Sequence, residues 1–453
     1  MSHAPSILKR CLPIAVAFLA VCLMAPGVDA GDTAWMLAAT ALVLLMTPAL
    51  GLFYAGLVRS KNTLNTFMMC VAALAVATIT WALIGYSFAF SEGNGFIGGF
   101  GHAFLGDVGF TPREGTKIPE LLFFAFQATF CIVTTALVAG AVVERMRFGP
   151  FLLFAALWSV LVYGVLAHWA FGGGWLQARG TLDFAGGVPV EMGSGFSALA
   201  AALVVGARRD YGRQAFLPHN SMFVLLGAGL LWFGWFGFNG GSGFSAGNAG
   251  VLAFVNTLLT PACALATWFV LDLLRSRQVT AIGAATAIVV GCVGITPAAG
   301  FISPLWAMVL GVLAALPSYA VIMLRPRWRV DETLDVLAAH GVAGLTGIVF
   351  IGLVAQAGWN GVADGLFYGN AGQLFDQLVA VLVTPAYAFA ATFALLKLIG
   401  LFSPLRASAE EEALGMDLVA HGEEAYATGE GAILVDPESE RPEPRPRRER
   451  VLA

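Results

Sequence analysis

Between residues 34 and 401 the chain carries eleven apolar windows, at approximately 34–57, 63–89, 119–142, 150–170, 190–207, 220–238, 248–274, 280–295, 302–324, 333–355 and 375–401. Each approaches the roughly 20 apolar residues that a helix needs to cross a bilayer, whereas barrel strands are about ten residues of alternating character. The windows are therefore expected to be transmembrane helices. Only 11% of residues are charged and 58% are hydrophobic, against about 25% charged in soluble domains. That balance excludes a soluble enzyme and a disordered regulator. With 24 basic against 28 acidic residues, no basic surplus exists to neutralise nucleic-acid phosphates. Of six cysteines, two lie in the first 30 residues and four in apolar runs, without CxxC spacing, so no disulfide framework is expected.

Residues 1–30 combine a cationic start (Lys9, Arg10), an apolar stretch from Leu12 to Met24, and small residues at Val28 and Ala30. They are expected to be a cleavable signal peptide; a retained first helix, giving twelve spans, is the alternative. Fourteen Lys and Arg residues follow the odd-numbered windows, from Arg59 and Lys61 to Lys397 and Arg406, against three (Arg113, Lys117, Arg179) after the even-numbered ones. By the positive-inside rule the mature N-terminus is outside and the tail cytoplasmic. The transmembrane domain is expected over 31–402, an acidic cytoplasmic tail over 403–430, and a disordered Pro/Arg-rich end over 431–453.

Ionisable residues inside the spans are costly in hydrocarbon and mark function when they have no structural partner. Asp272 has Arg275 as an interfacial partner, Asp335 suits the first turn of its helix, and His168 beside Trp169 suits the membrane interface. Glu191 and His340 have no such account. Their segments match: Glu191 is followed by Gly195 and Ser197, His340 by Gly344 and Thr346. They fall in the fifth and tenth windows, the corresponding places of two oppositely oriented five-helix halves, and such repeats commonly enclose a substrate path. The expected fold class is thus an all-α membrane protein, eleven helices in a 5+5 inverted repeat plus a final helix. One difficulty accompanies this reading. His340 lies about 10 Å of helix rise inside the cytoplasmic end, while Glu191 opens its span from the outside, so the two meet only if the 171–190 connection dips into the membrane.

Aromatic stretches FAFQATF (124–130), FGGGW (171–175) and FGWFGFNGGSG (233–243) sit toward the outer half, where ring faces attract a cation. Together with GLFYAGLVRSKN (51–62), GAVVERMRF (140–148), LDFAGG (182–187), AFVNT (253–257), GITPAAGFI (294–302), DVLAAHG (335–341) and GMDLVAHGEEAY (415–426), the sequence resembles the Amt/Mep/Rh ammonium transporter family over nearly the whole mature chain. The likeness is to the bacterial Amt type. It implies a homotrimer in the bacterial inner membrane, each protomer with its own narrow pore for ammonium or ammonia, and methylammonium as a related substrate. It implies Phe130 and Phe238 as a stacked gate, with Phe171, Ser242 and the Ala185 carbonyl holding ammonium outside it, and Asp183 orienting the recruitment loop. Two positions depart from the common pattern: Phe171 stands for the usual Trp, and Glu191 for the first of two pore histidines, leaving His340. The tail residues Gly415, Asp417, His421, Gly422, Glu423 and Tyr426 match a regulatory segment that couples protomers and supports docking of a PII-type signal protein. No cofactor or metal is expected.

A bare cation loses several kcal/mol or more of hydration in a low-dielectric pore, whereas deprotonating an amine about two pKa units above ambient pH costs roughly 2.7 kcal/mol. Ammonia and the proton are therefore expected to separate near the gate, with Glu191 and His340 relaying the proton. An ammonium sensor signalling through the tail is the rival reading. An intramembrane hydrolase lacks any HExxH, GxSxG or third orienting residue.

Overall fold

The computed structural model describes residues 26–426. The end of the tail and the leader, apart from its last five residues, lie outside that range, so the signal-peptide and disordered-tail assignments do too. Among the described residues, ten helices are long and apolar enough to cross a membrane: α1 (Ala30–Leu57), α2 (Ser60–Phe90), α3 (Glu120–Ala139), α4 (Phe148–Arg179), α5 (Gly187–Val205), α6 (Ser221–Gly241), α7 (Asn248–Ser276), α9 (Pro304–Arg325), α10 (Leu337–Val354) and α11 (Ala371–Phe402). The eighth expected window holds a shorter apolar helix, α8 (Ala281–Ile295), of 15 residues. Two short helices follow in the tail, α12 (Ala409–Leu414) and α13 (Met416–His421).

Several helix starts are set by polar side chains that take up otherwise unpaired backbone N–H groups. Asp29 accepts from Asp32 N at 2.9 Å to start α1, and Asn220 accepts from Met222 N and Phe223 N to start α6. Thr280 accepts from Gly283 N to start α8.

The first helices of the two halves, α1 and α6, form the centre and run antiparallel. Gly56 near the end of α1 meets Asn220 and Val224 at the start of α6, whereas Gly237 and Gly241 near the end of α6 meet Ala39 of α1. Without a hydrophobic force between helices in lipid, such small residues let backbones approach closely enough for dispersion contacts to hold them. In each half the second helix packs on the first, third and fourth: α2 on α1, α3 and α4, and α7 on α6, α8 and α9. The two halves are thus alike and inverted. Outward faces carry apolar side chains such as Ile79, Leu274, Leu382 and Leu401, the composition a lipid surface requires.

The links after α1, α3, α5 and α9 converge on one face, called here the basic face. Glu144 is fully buried there and accepts from Arg59 N, Arg59 Nε, Asn62 Nδ2 and, at 2.7 Å, Arg208 Nη1. Arg208 also forks onto Asp331, with Nε and Nη2 each at 2.8 Å from a carboxylate oxygen. Arg145, wholly buried, donates to Gly206 O, Asp331 O and Ala141 O. One network of ions and carbonyls therefore ties four separate links together. Asp272 differs from its expected pairing with Arg275: it accepts from Thr280 N and Oγ1 and so steadies the turn into α8.

The tail from Ser408 to Tyr426 lies on this same face. Ser408 and Glu411 form a reciprocal cap on α12. Lys61 Nζ donates to the carbonyls of Glu412 and Ala413 at the end of that helix. Gly415, at φ 117°, passes against the Lys61 backbone, where a side chain would collide. Asp417 accepts from Leu64 N and Asn65 N, capping the first α turn of α2, and His421 Nε2 lies 3.1 Å from Asn65 Oδ1. Gly422 turns the chain at φ 66°, Glu423 is exposed, and the Tyr426 hydroxyl lies 3.0 Å from His219 Nε2.

Candidate functional site

On the face opposite the basic one, a broad open vestibule of about 1450 Å³ is lined by Phe130, Phe171, Asp183, Ala185 and Ser242, among others. Asp183 Oδ1 accepts from Gly186 N and Gly187 N, and Oδ2 from Val188 N, at 2.7–2.9 Å. Its carboxylate is thereby committed to the turn that opens α5, a position that the positive end of a helix favours. Gly186 in that turn has φ 124°, which an L side chain rarely adopts. Ser242 ends α6, its Oγ donating to Phe238 O at 2.8 Å and its hydroxyl oxygen still able to accept.

At the vestibule floor the Phe130 and Phe238 rings stack with centroids 4.0 Å apart and planes 28° from parallel. Phe130 borders the vestibule; Phe238 borders a separate cavity of about 20 Å³. That volume exceeds the roughly 10–15 Å³ one water needs, so the cavity admits one molecule of that size. Its walls include Val133, Leu137, Leu231 and Trp235, and its polar groups are Glu191 and His340.

Glu191 Oε2 and His340 Nδ1 lie 2.8 Å apart. Glu191 is fully buried and His340 is 4% exposed. Both sit in π-helical turns, Gly187–Met192 opening α5 and Leu337–Val342 opening α10, and such turns recur at functional sites. The glycines four residues later explain the contact. Gly344 lies against Glu191 Cβ, and Gly195 against the backbone of Gly341. Each glycine makes room for the opposite half. Glu191 Oε1 has no hydrogen-bond partner among the described residues. A buried carboxylate oxygen in this state has an unmet capacity to accept a hydrogen.

The 171–190 connection resolves the depth difficulty. After the short last segment of α4, Trp175–Arg179, the chain turns inward through buried Leu182 and Ala185 into the π-helical turn. Gln377 of α11 pairs with Leu182 N and Leu182 O at 2.8 Å each, satisfying backbone that would otherwise be unpaired at depth.

His168, among the residues lining the vestibule, is 2% exposed, with its ring nitrogens 3.0 Å from Ala89 O and 2.8 Å from Asn94 O. One further residue differs from expectation. Asp335 stands just before its helix at φ 60° and faces Arg325, 2.6 Å from Nη1, rather than lying in the first turn. Sequence reasoning had no signal for the Glu144–Arg208–Asp331 network, whose members are 64 and 123 positions apart.

The sequence profile of the Ammonium Transporter Family matches residues 34–426. An ammonium transporter of Bacillus subtilis is 45% identical over 399 residues, covering 87% of this chain and 98% of that protein. The ammonium transporter Amt1 of Archaeoglobus fulgidus is 42% identical over 87% of this chain and 99% of its own length. Among solved structures, Saccharomyces cerevisiae Mep2 superposes with a TM-score of 0.80 at 34% identity, over 85% of this chain and 89% of that one. A protein titled Sensor Amt Protein superposes at 0.80 with 26% identity, over 86% and 98%. The chain is a multi-pass membrane protein and belongs to the ammonium transporter family.

Proposed function

We propose that the protein takes up ammonium by separating it into ammonia, which passes the Phe130–Phe238 stack into the apolar cavity, and a proton, which Glu191 and His340 relay. The observation that carries this reading is the pairing, immediately beneath a closed aromatic stack, of a cavity sized for one small molecule with a buried acid–imidazole couple. In the vestibule, Phe130 and Phe171 offer ring faces, and Ser242 and the Ala185 carbonyl offer acceptors, for a cation that keeps part of its solvation. Beyond the stack those partners end. An ion crossing there gives up several kcal/mol or more of hydration, while deprotonation costs roughly 2.7 kcal/mol, so the neutral molecule is the cheaper passenger.

Glu191 in place of a second histidine makes the relay an acid–base couple joined across 2.8 Å. Asp183 holds the turn that positions Glu191 and does not itself touch substrate. The basic face is assigned to the cytoplasm of a bacterial inner membrane by its arginines. The tail residues from Gly415 to Tyr426 are assigned a coupling role between protomers of a homotrimer and a docking role for a PII-type protein.

The test is solid-supported-membrane current in proteoliposomes given ammonium, methylammonium or K⁺ pulses across pH. Native protein is expected to give ammonium current and no K⁺ current. Glu191→Ala and His340→Ala are expected to change the current and its pH profile; unchanged current, selectivity and profile in both would remove the relay. A sensing role has support in the likeness to the protein titled Sensor Amt and in the tail's close docking on α2. Ordinary ammonium flux in the same vesicles counts against it.

A further inference from the structure

Two small cavities on the basic-face side of His340 share one wall residue. The nearer, about 30 Å³, is lined by Tyr54, Thr286, Asp335 and His340, among others. The farther, about 20 Å³, is lined by Arg325, Glu332 and Asp335, among others. Each exceeds the roughly 10–15 Å³ that one water needs. Asp335 borders both; its side chain is 25% exposed, with Oδ1 buried.

The charges around the farther cavity do not balance. Arg325 Nη1 donates to Glu332 O at 2.5 Å and stands 2.6 Å from Asp335 Oδ1, outside hydrogen-bond geometry. Glu332 is 2% exposed; Oε2 accepts from Leu337 N at 3.2 Å, and Oε1 has no partner among the described residues. Arg325 is the guanidinium that lines this cavity beside the two carboxyl groups, while Arg145 and Arg208 act on them from the adjoining network. Carboxylates sharing a site with too little positive charge retain a proton. Burial, then the Asp335 carboxylate, push Glu332 up to about 7, against the opposing pull of Arg325. Tyr54 and Arg145 lie within electrostatic range of Glu332, and Arg208, Asp331 and Tyr211 within that of Asp335.

We propose that Glu332 and Asp335 are the proton-accepting pair at the basic-face end of the conduction path. An N–H bond of the His340 imidazolium breaks, a water in the Tyr54–Asp335 cavity carries the proton, and an O–H bond forms on the carboxyl pair. The proton then leaves to bulk water past Arg325. This assignment rests on the relay reading of Glu191 and His340 and extends it by naming where the proton goes.

The experiment records ammonium-pulse current from pH 5.5 to 8.5 for full-length native protein, Glu332→Gln, Glu332→Asp and Glu191→Gln in proteoliposomes. Glu332→Gln is expected to lower the current about tenfold and flatten its pH dependence near neutrality, with Glu332→Asp restoring a titrating profile. Native current and profile in Glu332→Gln, while Glu191→Gln loses its current, overturn the pair and leave the relay standing. Native behaviour in both variants overturns the relay and the pair together. If Glu332→Gln does not fold, Asp335→Asn decides: removing the neighbouring charge should move the neutral inflection toward acid, and an unmoved inflection overturns the pair.

Discussion

Gly344 lies so close to Glu191 that an added Cβ would stand 2.5 Å from Glu191 Cβ, and this vacancy of side chain lets the carboxylate reach His340 across the boundary between the halves. Gly195 stands in the corresponding relation to Gly341. The acid–base couple is thus a product of how closely α5 and α10 cross.

Gly195→Ala places a methyl against the Gly341 backbone, which cannot yield as a side chain would. Overpacking of this kind costs about 1–3 kcal/mol. The thermal midpoint in detergent should fall and ammonium current should fall with it. A variant with native midpoint and current would show that the two helices need no such proximity.

Phe238→Leu removes one face of the 4.0 Å stack while leaving apolar bulk. The lost stacking is worth about 0.5–1.5 kcal/mol, small enough for the fold to survive. Exclusion of K⁺ should weaken, giving a K⁺ current in vesicles where native protein gives none. If K⁺ stays excluded, the stack is not the selective barrier.

Asp417→Ala leaves Leu64 N and Asn65 N without their acceptor. Loss of a helix cap costs about 1 kcal/mol, concentrated here on the hold of the tail. Limited proteolysis should cut the tail faster than in native protein, with the membrane domain intact. Equal cutting rates would place the hold elsewhere, in the Lys61 contacts with the Glu412 and Ala413 carbonyls.

Burial pushes the Glu144 carboxyl up, but Arg208 and Arg59 outweigh it and hold it down at about 2, below its ordinary 4.5. A depressed carboxylate stabilises the fold fully above its unfolded value and loses that contribution as pH falls from 4.5 toward 2. The difference amounts to about 3 kcal/mol. Thermal midpoints measured from pH 6 to pH 3 should decline more steeply in native protein than in Glu144→Gln. Parallel declines would mean the network does not govern acid stability.

The long helices were legible because lipid imposes continuous apolar runs: the windows 248–274 and 375–401 differ from Asn248–Ser276 and Ala371–Phe402 by four residues or fewer at any end. Glu191 and His340 were legible as isolated ionisable residues at matched places in two halves. Their contact was legible only through the family resemblance, since it depends on the inward turn at 180–186 and on π-helical turns that leave no periodic trace. The basic-face network was invisible for a related reason. Glu144, Arg208 and Asp331 look like ordinary loop charges until the fold buries them against one another. The 89–94 backbone that closes over the His168 ring was not legible either, since a histidine beside a tryptophan at a span end gives no hint of it.

Simultaneous recording of charge and nitrogen entering voltage-clamped proteoliposomes tests the separation of ammonia from its proton most directly, when native protein and Glu191→Gln are compared. One charge per nitrogen in native protein, falling toward zero in Glu191→Gln as ammonia continues to pass, is the result expected. A native ratio of zero, or a ratio of one that Glu191→Gln leaves unchanged, would contradict it.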